Sequence, residues 1–168
     1  MDVMVTGGAG FVGGNLSDKL IKTGHKVVII DDLSTGSLKN IPANTEFLEL
    51  DLSDHLTYKK LPNNIDVVFH TASQVSSEMS YLDPVNDMKR NSLATLMLLD
   101  WSRNNSVKKF IYTSSMGVYC DRLGKAAMED SEISPKSFYG INKRCCEDFI
   151  DIFSERGLIF TIFRLFNV

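Results

Sequence analysis

Cysteine is scarce: Cys120, Cys145 and Cys146 are the only three among 168 residues. They form an odd set without a Cys-x-x-Cys pair, and two are adjacent. Disulfides therefore do not frame the fold, and the usage suits a reducing compartment. Long hydrophobic runs are missing as well. No apolar stretch approaches the roughly 18 residues of a membrane-spanning helix, so no membrane partner is expected. Basic charge is not in excess. Eighteen Lys and Arg face 21 Asp and Glu, a net charge of −3, which leaves no positive field for a nucleic-acid backbone. Eleven glycines and four prolines are too few for a disordered or fibrous chain. The opening Met1-Asp2-Val3-Met4-Val5-Thr6 has neither a charged n-region nor a cleavage site and reads as a strand, not a signal peptide. What is present is 43% apolar and 23% charged residues, the balance of a soluble, cytoplasmic globular domain. A chain of this size hides roughly 70% of its unfolded surface.

Strand-like runs at Val3–Thr6, Lys26–Asp31, Glu46–Leu50, Asp66–His70, Lys109–Ser114 and Leu158–Leu165 alternate with helical patterns. Phe11–Thr23 carries Phe11, Val12, Leu16 and Leu20 at helical spacing and stops at Gly24. Pro84–Asn104 is predicted as one long helix with proline in its first turn. Ser137–Arg156 is predicted as another, ended by Gly157, and Ser115–Lys136 as a loop. Continuous apolar strands interleaved with helices mean a parallel sheet covered on both faces. The predicted class is α/β: a doubly wound, Rossmann-type sheet of six strands in the order 3-2-1-4-5-6.

Between the first strand and first helix stands Thr6-Gly7-Gly8-Ala9-Gly10-Phe11-Val12-Gly13. Gly7 permits a tight turn, Gly10 lets the backbone approach a pyrophosphate, and Gly13 allows close packing of helix on strand. The unpaired N–H groups and positive dipole end of that helix attract phosphate. Asp31 follows about 20 residues on, at the end of strand two, where a carboxylate accepts from ribose hydroxyls and repels a 2′-phosphate. This pattern predicts NAD rather than NADP. Asp32 is the weaker ribose candidate, because Asp31 directly ends the apolar run.

The segments TGGAGFVG, DDLSTG and Leu50-Asp51-Leu52 resemble the extended short-chain dehydrogenase/reductase family, and within it the nucleotide-sugar epimerases and dehydratases. The resemblance covers the whole chain and implies an NAD-binding domain over 1–168. It implies that Asp51 and Leu52 hold the adenine. His70-Thr71-Ala72-Ser73-Gln74-Val75-Ser76 resembles the family's H-x-A-A-Q-x-S segment, with Ser73 in place of the second Ala. Thr71, Ala72 and Ser73 are then expected to pass beneath the cofactor by backbone contact, Gln74 or Ser76 to face substrate, and His70 to be a satisfied core histidine. Asn91 matches a family Asn on the long helix and is expected beside the cofactor, on the lysine side of the site. Arg164-Leu165-Phe166-Asn167-Val168 resembles an R-x-x-N segment in which Phe166 touches the nicotinamide end and Asn167 the sugar nucleotide. Cys145 and Cys146 match no family role, and no metal is implied.

The expected reaction centre is Ser115 with Tyr139 and Lys143. Positions i and i+4 share a helix face, so the Tyr and Lys heads meet. A free phenol titrates near 10 and is a poor base at neutral pH; an adjacent ammonium and an oxidised nicotinamide favour its phenolate. Ser115 lies 24 residues upstream of Tyr139 and can hydrogen-bond the reacting oxygen. The family's dehydratases and decarboxylases carry acidic residues just after this Ser. Met116 and Gly117 stand there instead, which shifts weight toward epimerisation of a nucleotide sugar through a transient 4-keto intermediate. A 4-keto reductase or dehydratase is the enzymatic alternative, and a non-catalytic NAD(P)-binding sensor is the alternative of another class. Two further expectations follow. Helices 84–104 and 137–156 form a homodimer contact through surplus apolar residues (Val85, Met88, Leu93, Leu96, Met97, Leu99 and Trp101), and a substrate domain, absent from these 168 residues, completes the enzyme.

Overall fold

The computed structural model describes residues 1–119 and 126–166. Cys120, Asn167 and Val168 lie outside the described residues. Six strands, β1 (Asp2–Thr6), β2 (Lys26–Asp31), β3 (Glu46–Glu49), β4 (Val67–His70), β5 (Lys109–Ser115) and β6 (Ile159–Leu165), form one sheet. All five pairings are parallel and the order is β3-β2-β1-β4-β5-β6, as the alternation of elements predicts. The strands read as near-continuous apolar runs because both faces are covered. On one face Val3, Val5, Val27, Ile29 and Val67 pack against Leu16, Leu20 and Ile21 of α1 (Phe11–Lys22). On the other, Met4, Val28, Ile30, Val68, Phe110 and Tyr112 pack against two helices. These are α4 (Ala94–Asn104), through Leu98, Leu99 and Trp101, and α5 (Phe138–Ser154), through Cys146 and Ile150.

The long helix expected over 84–104 is helical throughout but not uniform. Asp83 caps α3 (Pro84–Met88), a π-helical turn occupies Lys89–Leu93, and α4 follows without a break. The extra residue in that turn accompanies two buried polar side chains, Asn91 and Ser92, and such turns recur at functional sites. A short helix ahead of it, α2 (Ser77–Leu82), is capped by Ser76 and carries too few residues for its periodicity to be read from sequence. The predicted 115–136 loop contains a 3₁₀ turn at Met116–Val118 and a bridge from Tyr119 to Ile133. The apolar surplus expected on the long helix is also smaller than its composition implies: Leu99 and Trp101 are buried within the monomer, whereas Val85, Met88 and Leu93 are exposed.

One carboxylate ties α5 to the last two strands. Glu147 is 1% exposed. Its Oε1 accepts from Ser114 Oγ at 2.6 Å and Arg164 Nε at 2.9 Å, and its Oε2 accepts from Arg164 Nη2 at 2.8 Å. Arg164 Nη1 reaches the Tyr119 hydroxyl at 3.0 Å and the Glu129 carbonyl at 3.2 Å. Removing one partner of such a pair strands the other charge. Glu147→Ala is therefore expected to destabilise the fold by about 3 kcal/mol in urea unfolding. The double variant Glu147→Ala/Arg164→Met is expected to lose less than the sum of the single losses. Additive losses would show the pair to be uncoupled.

Candidate functional site

A cleft of about 640 Å³ opens at the C-terminal ends of the strands, the place where doubly wound sheets bind ligands. Its floor is backbone. Gly7 adopts φ +70°, and a Cβ there would meet Ala72 N at 2.6 Å. A Cβ on Gly13 would meet the Gly7 carbonyl at 2.3 Å. Only glycine allows β1, the first turn of α1 and the segment after β4 to approach this closely. Gly10 stands at the N-cap of α1 without a side-chain cap, and the first turn holds no acid. The N–H groups around Phe11, Val12 and Gly13 thus begin a helix whose positive end faces the cleft.

The structure brings most of the predicted residues to this one cleft. Gly7, Gly10, Phe11, Val12 and Gly13 line it from the glycine turn, Asp31 from the end of β2, and Asp51 and Leu52 from the turn after β3. Thr71, Ala72, Ser73 and Gln74 line it after β4, Ser115 at the end of β5, Tyr139 and Lys143 from α5, and Phe166 after β6. Asp31 is held upright: Oδ2 accepts from Ala9 N at 3.0 Å and Oδ1 from Leu33 N at 2.9 Å. Asp51 Oδ1 accepts from Ser53 N at 2.8 Å. Ser115 Oγ accepts from Gly117 N at 3.1 Å, which leaves its own O–H to donate. Asn167, the expected sugar-nucleotide contact, falls outside the described residues.

Two expectations change. Asn91 does not line the cleft. It is 2% exposed, and its amide is occupied by protein: Oδ1 accepts from Ser73 Oγ (2.7 Å) and Gln74 N (3.1 Å), and Nδ2 donates to Asp87 Oδ1 (2.9 Å) and the Gln74 carbonyl (3.2 Å). Asn91 holds the cleft-lining segment from behind. Ser76 is likewise not a lining residue, because its hydroxyl caps α2 by accepting from Met79 N. Gln74 does line the cleft, but its side chain turns inward to the Ser76 backbone and to Asp87.

Behind the cleft is a buried acid that carries no sequence signature. Asp87 is 1% exposed and accepts from Asn91, from Gln74 Nε2 at 3.2 Å and from Asn142 Nδ2 at 2.6 Å. Burial raises its carboxyl above the usual range against the pull of these donors. A second contact not read from the sequence joins the cleft's rims: Arg90, in the π-helical turn, pairs with Asp32 and donates to Ser34 Oγ at 2.7 Å. Burial works to raise the Asp32 carboxyl, but the bonds from Ser34 and Arg90 hold it below its usual range. Asp32 is thus paired with a cation, whereas the Asp31 oxygens accept from backbone N–H groups.

The titratable groups of the centre diverge from their ordinary values. Burial pushes the Tyr139 phenol up, while the nearby Ser115 and Ser73 hydroxyls pull it down. In the ligand-free protein burial outweighs the expected help toward phenolate. Lys143 is 2% exposed. Its Nζ donates to the Thr113 carbonyl at 2.8 Å and stands 5.7 Å from the centre of the Tyr139 ring. Burial lowers it to about 8, with Asp87 and Glu147 acting the other way. His70 is the core histidine that its position implies. It is 1% exposed, bonded through Nδ1 to Thr6 Oγ1 (2.7 Å) and through Nε2 to Thr95 Oγ1 (2.9 Å), and pushed by burial down to about 3. Cys146 is buried and Cys145 half-buried, both as free thiols. Among the described residues no group of His, Cys, Asp and Glu is arranged to hold a metal ion, and no helix is long and apolar enough to cross a membrane.

The sequence pattern of the NAD dependent epimerase/dehydratase family matches residues 3–168. The chain belongs to this family. It is similar to the UDP-glucose 4-epimerase of Mycolicibacterium smegmatis, 35% identical over 160 residues that cover 91% of this chain and 51% of that protein. The crystal structure of the Thermotoga maritima UDP-glucose 4-epimerase with UDP-glucose superposes with a TM-score of 0.93 at 36% identity, over 98% of this chain and 55% of that one. The Thermus thermophilus UDP-glucose 4-epimerase complex with NAD superposes with a TM-score of 0.91 at 32% identity, over 98% and 54%. The family extends to other chemistry: the UDP-glucuronic acid decarboxylase 1 of Danio rerio is 29% identical over 98% of this chain and 41% of its own length. The chain spans about half the length of the curated relatives it matches.

Proposed function

We propose that this chain is the cofactor-binding part of an NAD-dependent nucleotide-sugar 4-epimerase. One observation carries the reading: Ser115, Tyr139 and Lys143 converge on the same cleft as the glycine turn and Asp31. The cleft suits a dinucleotide. Its volume lies within the range of cofactor sites, the uncapped start of α1 offers N–H groups to a pyrophosphate, and Asp31 offers a carboxylate to ribose hydroxyls. Asp51 and Leu52 would hold the adenine, Thr71, Ala72 and Ser73 the ribose side, and Phe166 the nicotinamide end.

When bound, NAD supplies a reversible hydride acceptor for the sugar's C4, so the sugar passes through a 4-keto state and the cofactor ends unchanged. The chain's own residues handle the proton. Tyr139 takes the proton of the sugar hydroxyl as the carbonyl forms and returns it afterwards. Ser115, oriented by Gly117 N–H, donates to the same oxygen. Lys143, buried and hydrogen-bonded to the Thr113 carbonyl, keeps positive charge beside the phenol while the pH stays below about 8. Met116 and Gly117 carry no acid for elimination of water, which favours epimerase over dehydratase.

We read the functional enzyme as larger than these residues. The strand ends open into a cleft that these residues leave accessible to solvent. Ile159 and Phe163, on the β6 face away from α5, are 64% and 52% exposed, a surface that a following substrate domain would cover. A sugar needs a site that encloses most of it. Exposed Val85 and Met88 on α3 and Ile141 and Ile152 on α5 support a homodimer through these helices, and the cysteine usage supports a cytoplasmic location.

Three outcomes are expected. By calorimetry NAD binds more tightly than NADP, and Asp31→Ala weakens NAD by about 10-fold or more while narrowing the gap; equal affinity in the parent protein would sink the assignment of Asp31. In the enzyme that includes the substrate domain, Tyr139→Phe lowers epimerisation of a UDP-sugar by at least about 100-fold with NAD affinity retained, and unchanged turnover removes Tyr139 from the mechanism. Consumption of free NADH in step with product would instead mark a reductase. Light scattering at micromolar concentration gives the mass of a dimer; a monomeric mass contradicts the helix contact.

A further inference from the structure

Two acids stand side by side after β2, and the structure gives them different partners. Alternation along β2 sends Ile29 to the α1 face of the sheet, and Val28 and Ile30 to the α4 face. Asp31 continues the first set and accepts from Ala9 N in the glycine turn. Asp32 continues the second and pairs with Arg90, which comes from the π-helical turn ahead of α4. Ser34 completes the arrangement. Its N–H and its hydroxyl both donate to Asp32 Oδ1, at 3.0 and 2.6 Å, and its Oγ accepts from Arg90 Nη2 at 2.7 Å. Asp32, Ser34 and Arg90 line the cleft together with Asp31, so they stand at the end read as the ribose side. Among the described residues that line the cleft, Arg90 and Lys143 are the only cations, and Lys143 is buried against the Thr113 carbonyl beside Tyr139. Arg90 is therefore the one cation lining the ribose end.

We propose that Asp32 is a specificity-determining residue that acts through Arg90: its carboxylate occupies the guanidinium and withholds it from the 2′-phosphate of NADP. A guanidinium beside the adenosine ribose is the group that receives such a phosphate, because its fork of N–H donors matches two phosphate oxygens. This chain has one there, yet its family uses NAD. The two acids exclude NADP in different ways. Asp31 repels the phosphate directly, and Asp32 removes the cation that would offset that repulsion. A phosphate that takes Arg90 must first displace a carboxylate anchored by two bonds from Ser34. The paired side chains are only 25% and 22% exposed, so water replaces a lost partner poorly. With asparagine at position 32 the Ser34 donors keep an acceptor, but the competing charge is gone. Arg90 is then free to turn to the phosphate that NADP brings.

This inference rests on reading Asp31 as the ribose acceptor, and its test is a double-mutant cycle that needs no turnover. NADP and NAD are titrated calorimetrically into the parent protein, Asp32→Asn, Arg90→Met and the double variant. Asp32→Asn is expected to tighten NADP by about 10-fold or more, the effect of one hydrogen bond to a charged group, and to change NAD by much less. In the Arg90→Met background the same substitution is expected to change NADP by less than about threefold. Arg90→Gln, which is smaller and polar, is expected to abolish the gain in the same way, so that a packing effect of methionine is not mistaken for the loss of charge. A gain that persists without Arg90 would be plain relief of repulsion between anions and overturns the proposal, as does the absence of any gain. The ribose reading fails separately, through NAD affinity unmoved by Asp31→Ala, while the coupling between positions 32 and 90 is read from NADP alone.

Discussion

The geometry of the cleft depends on where α5 lies, and Glu147 decides that. Its carboxylate is buried against Arg164 of β6 and Ser114 of β5, so the helix is tied to the strands that end at the cleft. Four residues earlier on the same helix is Lys143, and eight earlier is Tyr139. The pairing at Glu147 therefore sets how far the phenol projects beyond the end of β5. At the start of the helix, Ser137 caps by accepting from Gly140 N at 3.0 Å, and a Cβ on Gly140 would meet the Gly117 carbonyl at 2.3 Å. The turn that follows Ser115 and the first turn of α5 are thus in backbone contact. Ser115 and Tyr139, distant in sequence, are held at one spacing by a salt bridge below and a glycine contact above.

Burial is the second constraint, and it acts on the two partners in opposite senses. It disfavours charge, so it raises the phenol and lowers the ammonium. Neither change alone prepares a base. A phenol held above its ordinary range stays protonated, and a lysine near 8 is at the edge of losing its charge. The polar groups around them restore the balance. Asp87 and Glu147 stabilise the ammonium, and the nearby Ser115 and Ser73 hydroxyls favour the phenol's anion. The buried cluster of Asp87, Asn91 and Asn142 costs desolvation, yet every one of its side-chain atoms has a partner. A fully satisfied network of this kind fixes geometry in a way an apolar core cannot.

The strand order, both helices that bear the site and about half of the cleft lining were legible in the sequence, because each rests on a local or periodic signal. Apolar runs mark strands buried on both faces, the glycine turn sits between a strand and a helix, and Tyr139 and Lys143 are one helical turn apart. What was not legible depends on partners far away in the chain. Asp32 and Arg90 are 58 residues apart, and nothing in either local pattern announces the pair. Asp87 looks like one more polar residue on a helix, and its burial follows only from the packing of α3 against α5. The family match put Asn91 beside the cofactor, whereas the π-helical turn directs its amide behind the segment after β4. Ser73 showed only as a small change from alanine, because its hydroxyl's partner, Asn91 Oδ1, lies 18 residues away.

The two sides of the cleft differ in how completely these residues build them. On the cofactor side, backbone fills the space that side chains would take at Gly7 and Gly13, and Asp31 is fixed by two N–H bonds before any ligand arrives. On the side proposed for the sugar, Gln74 is turned inward to Asp87, Ser76 is spent on a helix cap, and Met116 offers apolar, exposed surface. A preorganised half-site binds without paying the entropy of ordering itself, which suits a cofactor kept through turnover. Among the described residues the proposed sugar has no such frame. Its hydroxyls must be fixed to within a fraction of an ångström for a proton and a hydride to move, and residues arranged to do this are not among the described residues that line the cleft. On the proposed reading, α5 and the glycine turn assemble the acid–base and cofactor side of the site, and the choice of sugar falls to the proposed substrate domain.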